Sequence, residues 1–447
     1  MTVFANGDTL VDHGRERLRR DALAIAAAAL AAVDPAATLR SLLRLDRDTL
    51  WIGDEAVVLA ARRVFVIGAG KATIGMAAVL DDVLGARIAE GAVVVKRGQG
   101  RPLQHIAVLE AAHPIPDAAS HAAGERLLNI ARRARPDDIV IALVTGGSSS
   151  LAVVPAPGIT LSDTILLNRL LLACGARIVE INNVRKHISL IKGGLLAAAC
   201  GCEIVNLSVS DVVGDPPDYF TDLTVPDRST FAMAQQVCDR YDLWARLPAS
   251  VAQRLRAADP AQETPKALDR VRTFVVASST LLAEAAAVKA TALGYAATVV
   301  TLELEGEAAT AGRRLARRLL KTPPHTALVA CGENTVTLPP ERLTDADGSG
   351  GPNQEAALGG AIELDRSGGG GASCLLCIDS DGTDGPTDAA GALIDDLSAG
   401  VAREGGVDLE SALAHHTSHD ALRALGDLVV TGPTDTNVND LKIGLRE

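Results

Sequence analysis

Glycine, hydroxyl and carboxyl residues crowd the positions that follow one apolar run after another. Gly68-Ala69-Gly70-Lys71-Ala72-Thr73 follows RRVFVI, and Thr145-Gly146-Gly147-Ser148-Ser149-Ser150 follows DDIVIALV. Ser210-Asp211-Val212-Val213-Gly214-Asp215 follows CEIVNLSV. Gly332-Glu333-Asn334-Thr335, the run from Asp379 to Asp388 and the run from Thr431 to Asn437 follow later apolar segments. Turn formation alone explains any single one of these. Their repetition points to ligand binding at the carboxyl ends of strands in an open α/β sheet.

The loop at Gly68 and Gly70 carries Lys71. A dinucleotide fingerprint needs a small third residue where Thr73 stands, and an acid after the second strand where Lys96-Arg97 stands. A Walker loop needs glycine where Phe65 stands. What remains is a glycine turn at a helix start with a lysine on it. Backbone N–H groups and the helix dipole there favour an anion, and Lys71 adds a full charge. Gly146, Gly147, Ser148 and Ser149 offer further donors for a substrate carboxylate or a nucleotide phosphate. A serine nucleophile is disfavoured, because no G-x-S-x-G pattern is present.

The segment from Glu180 to Gly194 reads as a helix with Arg185, Ser189 and Lys192 on one face and His187 elsewhere. That stripe suits a carboxylate or phosphate. Asp211 with Asp215, and Asp381 with Asp384, crowd two turns. Like charges this close repel unless a cation sits among them. Magnesium, which takes one or two carboxylates plus phosphate oxygens, fits that need. Asp211 and Asp215 are the expected metal ligands, and Lys192, Asp381 and Asp384 the expected substrate contacts. His415, His416 and His419 lack an adjoining catalytic glutamate and read as surface residues. Cys374 and Cys377 fall on opposite faces of a strand, so a redox or metal pair is not expected.

The elements that must position these groups alternate between short apolar runs and longer helical patterns, the mark of an α/β protein. The first half forms a Rossmann-like sheet. In the second half TFVVAS, AATVVTL, TALVAC and SCLLCI read as strands, with helices over 280–293 and 307–320. The polar, proline-broken stretch from Trp244 to Arg270 reads as the join, giving domains over 1–250 and 270–447. At 447 residues the chain suits two domains, and with 2% aromatics its cores must be built from Ala, Val, Leu and Ile. A net charge of -12 argues against nucleic acid, though not against an anionic ligand. The apolar run from Ala22 to Val33 is too short to span a bilayer. No secretion signal is evident, and seven cysteines without framework spacing suit the reducing cytoplasm.

The sequence resembles the class II glycerate 2-kinases, which pair an N-terminal glycerate-kinase domain with a MOFRL domain. The resemblance runs from about Leu18 to Gly444 on VFVIGAGKA, HPIPD, TGGSSSL, NNVRKHISLIKGGLLA, SVSDVVGD, TVPD, GENTVTL, NQEAAL, SDGTDGPTDAAGA and TGPTDTNVNDL. It implies ATP-dependent phosphorylation of D-glycerate at the 2-hydroxyl with a divalent metal, in a cleft between two α/β domains. It matches a lysine motif to Lys71, a glycine-serine loop to Gly146–Ser150, and an NQE motif to Asn353–Glu355. The expected roles are catalytic for Lys71, Asp211 and Arg185, and nucleotide-binding for Glu333, Asn353 and Glu355. ATP, Mg²⁺ and a small anionic hydroxy acid are the expected partners, with no membrane or nucleic acid, and a homodimer is admitted.

Two departures stand out. Pro352 replaces an arginine usual in the family, and Asp218 to Thr224 replace a small turn. Losing a charge-assisted donor pair costs on the order of 1.5–3 kcal/mol, about 10–100-fold in turnover or preference. Two alternatives follow: an NAD(P)H-dependent hydroxypyruvate reductase, and a catalytically weakened sugar-acid-binding relative.

Overall fold

The structure is a computed structural model, and it describes residues 3–210, 223–338, 350–366 and 371–447. Two compact units divide the chain. One holds residues 35–210 and 223–276, and the other holds 3–34 with the described part of 277–447.

The first unit carries a small antiparallel sheet of β1 (Leu43–Asp46), β2 (Thr49–Ile52) and β3 (Glu55–Val58). Its main sheet holds β4 (Val64–Ala69), β5 (Ile88–Lys96), β6 (Ala107–Ala111), β7 (Ile139–Val144), β8 (Glu203–Val209) and β9 (Val271–Ala277), in the order β6-β5-β4-β7-β8-β9. Strands β4 to β8 pair in parallel. β4 and β7 are buried along their whole length, as expected for a sheet covered on both faces. Short aliphatic side chains fill the space between sheet and helices: Ile67, Val94, Leu127, Ile130, Val140 and Ile204 belong to one core. Register brings the carboxyl ends of the strands level. Ala69 lies opposite Val144, Val144 opposite Ser208, and Lys96 opposite Ala111. The loops that follow therefore share one edge of the sheet.

The second unit carries β10 (Ala296–Thr301), β11 (Thr326–Gly332), β12 (Ser373–Asp379), β13 (Gly391–Asp395), β14 (Leu428–Val429) and β15 (Asp440–Arg446), in the order β10-β11-β15-β12-β13-β14. Only β10 and β11 pair in parallel; the other pairings are antiparallel. A long helix, Pro352–Arg366, is buried along most of its length and packs with the helix Ala308–Leu319. The two backbones come very close: a Cβ on Gly312 would stand 1.8 Å from Ala356 O, and one on Gly359 would stand 2.4 Å from Ala309 O.

The expectation of two α/β units agrees with this structure, but the partition differs from 1–250 and 270–447. The strand Val271–Ala277 completes the first sheet rather than opening the second. The helix Glu16–Ala32 packs on the helix Ser279–Ala292 in the second unit. The stretch expected as a join contributes the helix Ala249–Ala257, and with the helix Phe231–Arg240 it buries Phe231, Val237, Val251 and Leu255 in a third core. Among the described residues no single helix is long and apolar enough to cross a membrane.

Candidate active site

On the parallel sheet, Gly68 and Gly70 are glycines for reasons of packing. A Cβ on Gly68 would lie 2.7 Å from Leu143 O in the neighbouring strand. Gly70 has φ of +140°, and a Cβ there would lie 2.0 Å from Thr145 Oγ1. The amides of this turn are occupied. Gly70 N donates to Val94 O at 3.1 Å, Lys71 N to Gly146 O at 2.9 Å, and Ala72 N to Thr145 Oγ1 at 3.2 Å. The expectation that backbone N–H groups of this loop hold an anion is therefore corrected: the Lys71 side chain is what this turn offers.

The open amides lie on the next loop. Among the described residues the N–H groups of Gly146 and Gly147 make no hydrogen bond. Gly147 is left-handed, with φ of +85°, and stands before the short helix Ser148–Leu151. A Cβ on Gly147 would fall 3.3 Å from Lys71 Cγ and 3.1 Å from His113 Nε2. Lys71, His113 and the glycine turn thus meet at one point on the carboxyl edge.

At the far end of the same loop, Lys192 Nζ donates to Ser149 O and, at 3.0 Å, to Ser149 Oγ. Arg185 Nη2 donates to Ser149 O at 3.4 Å. Both face a recess bounded by Val154, Pro155, Asn168 and Ser189. The helix expected over 180–194 ends at His187, and Ser189 bridges to Pro155 instead. Arg185 and Lys192 still converge, because the chain turns after Ile188. Lys192 is only 3% exposed. Burial, and then the charge of Arg185, hold its ammonium well below the usual lysine range. Burial likewise lowers the Arg185 guanidinium to about 10. A buried cationic pair held so far from its usual basicity favours an entering anion, which relieves both groups.

In the second unit the aspartate-rich turn has a different character. Asp384 accepts from Asn353 N at 3.0 Å, Asn353 Nδ2 at 3.1 Å and Gln354 N at 2.8 Å. It is the acidic cap of the long helix, whose first residue is Pro352. Proline suits that position, where its missing N–H would be unpaired in any case. Burial pushes the Asp384 carboxyl up to about 6. Burial, and then Asp440 and Asp381, also raise Asp379 far above the carboxylate range. Asp440 pairs with the buried Lys442 at 2.6 Å. Asp381 accepts from Thr383 N at 2.9 Å. Asn353 leaves its Oδ1 buried without a hydrogen bond. Glu355 accepts from His416 Nδ1 at 2.8 Å, and His419 Nδ1 donates to Gln354 Oε1 at 2.8 Å. The expectation of surface histidines thus fails for His416 and His419, which brace this helix, while His415 is exposed. Glu333 is exposed on the turn after β11. Asp211 and Asp215 lie outside the described residues. Among the described residues no group of three or more His, Cys, Asp or Glu is arranged to hold a metal ion.

Sequence reasoning missed His113, Gln354 and Asn334. Asn334 donates to Leu304 O at 3.1 Å and fastens the turn after β11. His113 follows β6, a strand the sequence reading did not recognise.

These features define a two-unit α/β protein with glycine-rich turns at the carboxyl ends of its parallel strands. A family model described as a domain of unknown function, DUF4147, matches residues 21–256, and the MOFRL family model matches residues 326–440. A glycerate 2-kinase of Pyrococcus horikoshii is 38% identical over 96% of this chain and 97% of its own. A protein of Agrobacterium vitis carrying a hydroxypyruvate reductase name is 41% identical over 85% of this chain and 98% of its own. The crystal structure of a glycerate kinase from Thermotoga maritima superposes with a TM-score of 0.83 at 34% identity, covering 97% of this chain and all of that one. The chain belongs to the class II glycerate 2-kinase family, in which a DUF4147 region precedes a MOFRL domain.

Proposed function

We propose that the protein transfers the γ-phosphoryl group of ATP to a small hydroxy acid, most simply D-glycerate to 2-phosphoglycerate. The observation that carries this reading is the loop Gly146–Ser149. Open amides and Lys71 stand at one end, and the buried pair Arg185 and Lys192 at the other. Phosphoryl transfer asks a protein mainly for positioning and charge neutralisation. Lys71 and the two glycine amides would hold a phosphate as charge develops, and Arg185 with Lys192 would hold the acid's carboxylate. Glycerate kinase names among the relatives support the same reading.

Magnesium would accompany ATP and offset phosphate charge. Asp211 and Asp215 are the proposed ligands, Asp211 also orienting the acceptor hydroxyl. Asp381 is a proposed substrate contact, and Glu333, Asn353 and Glu355 are proposed to bind nucleotide. Asp384 and Glu355 are proposed with a second role, since both already brace the long helix. A cytoplasmic location is supported by seven free cysteines, most of them buried.

The test is an ADP-release screen across small hydroxy acids, with phosphorus NMR of the product. ADP release with D-glycerate and a 2-phospho ester is the expected result. Release with no hydroxy acid overturns the reading. The reductase name carried by relatives favours a second reading. NADH oxidation by purified protein with hydroxypyruvate would establish it, against the exposed Lys96 standing where a ribose-binding acid belongs.

A further inference from the structure

We propose that His113 takes the proton of the acceptor hydroxyl as the phosphoryl group moves. The inference rests on the kinase reading and names a residue for its proton step. His113 stands just beyond the carboxyl end of β6, whose Ala111 pairs with Lys96 of β5. Its imidazole edge faces the turn with the open amides: a Cβ on Gly147 would touch both Nε2 and Cδ2 at 3.1 Å. Lys71 approaches the same point from β4. Other histidines of this unit have occupied rings. His121 Nδ1 bonds Val153 O at 3.1 Å, and His187 bonds Asn183 O and Glu263. Among the described residues the His113 ring makes no hydrogen bond. A partly buried imidazole with both nitrogens uncommitted, beside an anion site, is placed to meet a ligand proton.

Its charge state suits the task. Burial, then Lys71 and Lys96, hold the imidazole at about 4, so it is neutral at neutral pH and ready to accept. These two lysines are the charged groups that act on it. When phosphates enter, their negative charge opposes the lysines and raises the ring's basicity at the moment of need. In the step, the acceptor O–H bond breaks and its proton goes to a ring nitrogen of His113. The oxygen's electron pair forms the new bond to the γ-phosphorus. The bond from that phosphorus to the β–γ bridging oxygen breaks, and its pair leaves with ADP. The imidazolium then returns its proton to water.

The experiment compares wild type with His113→Gln and His113→Asn at saturating Mg-ATP. We expect kcat to fall about 10²–10⁴-fold, the range for loss of a positioned acid–base group. Both KM values should stay within about threefold, since ground-state binding is kept. Unchanged kcat, or a loss confined to KM, overturns the assignment. As a second measurement on the wild-type protein, NMR of ring-labelled histidine follows the His113 titration without and with Mg-ADP and glycerate. The expected result is an upward shift on adding ligands, and no shift overturns the proposal even if the variants fail to fold. Should wild type release no ADP with any hydroxy acid, the kinase reading fails and takes this one with it. Should wild type turn over while His113→Gln keeps full kcat, only the role of His113 falls.

Discussion

Lys71 and Lys192 both approach the loop Gly146–Ser149, yet their surroundings assign them different work. Lys71 borders the open amides of Gly146 and Gly147, where charge would build as phosphate moves. Lys71→Ala is therefore expected to lower kcat/KM by roughly 10²–10³, the size of a lost donor to developing charge. Near-full activity at saturating Mg-ATP would remove Lys71 from the mechanism. Lys192 is buried against Ser149 beside Arg185, at the recess proposed to take the acid's carboxylate. Lys192→Met should raise KM for the hydroxy acid about 10–100-fold, the size of one charged hydrogen bond, while kcat changes less. The sign of the pH dependence follows from its lowered basicity. The protonated form binds the anion, and binding raises its hold on the proton. Affinity for the acid should therefore weaken as pH rises through the depressed free-protein value, with proton uptake on binding. Calorimetry in buffers of different ionisation enthalpy would detect that uptake. Its absence would mean that Lys192 does not meet the ligand.

The helix Pro352–Arg366 shows how much at the level of elements depends on one carboxylate. Its first amides go to Asp384, and its first turn is braced by His416 and His419. Removing an acidic cap costs about 0.5–2 kcal/mol. Asp384→Ala should unfold at correspondingly lower urea, and Asp384→Asn should lose less. Because burial raises the folded-state value to about 6, above that of an unfolded aspartate, the stabilising contribution is complete at low pH and is lost as pH rises through about 6. The stability gap between wild type and Asp384→Asn should thus be larger at pH 5 than at pH 7.5. A gap independent of pH would show that the carboxyl titrates normally.

The same helix shows where sequence was informative. NQE was singled out as a motif, but the sequence could not show that Asp384, thirty-one residues from Asn353, is the cap of the helix it opens. Buried parallel strands such as IVIALV were legible because they are uniformly apolar. β15 was not. Its run DLKIGLR mixes charged and apolar residues and was not assigned, yet it is the central antiparallel strand, with Lys442 buried because Asp440 neutralises it. The loops at Gly68 and Gly146 were legible as glycine turns at strand ends. Which of them has unoccupied amides depends on a crossing hydrogen bond between Lys71 N and Gly146 O, and no local pattern contains that.

At the scale of the whole molecule, the chain's first residues belong with its last. The helix Glu16–Ala32 lays Leu18, Ala22, Ile25, Ala26 and Ala29 into the second unit, mostly small side chains that allow close approach to the helix Ser279–Ala292. Arg19, 1% exposed, fastens it by donating to Asp395 and, at 2.8 Å, to Asp427. Tyr295 Oη adds a bond to Asp21 at 2.7 Å. Neither aspartate reaches solvent; without the guanidinium Asp427 keeps His13 at 2.9 Å, but the Asp395 carboxylate is left buried without a cation, a change that costs up to about 3–5 kcal/mol. Arg19→Met should therefore destabilise the second unit selectively, lowering its urea midpoint while Trp51 and Trp244, both in the first unit, report an unchanged transition there. A chain beginning at Pro35 should go further, since it loses the arginine and the apolar face together. The remaining unit would expose Leu282, Ala283 and Ala286 and should be protected from proteolysis only when a peptide of residues 3–34 is supplied in trans. If the shortened chain resisted protease as well as the full one, the N-terminal helix would be an ornament on the second unit rather than part of its core.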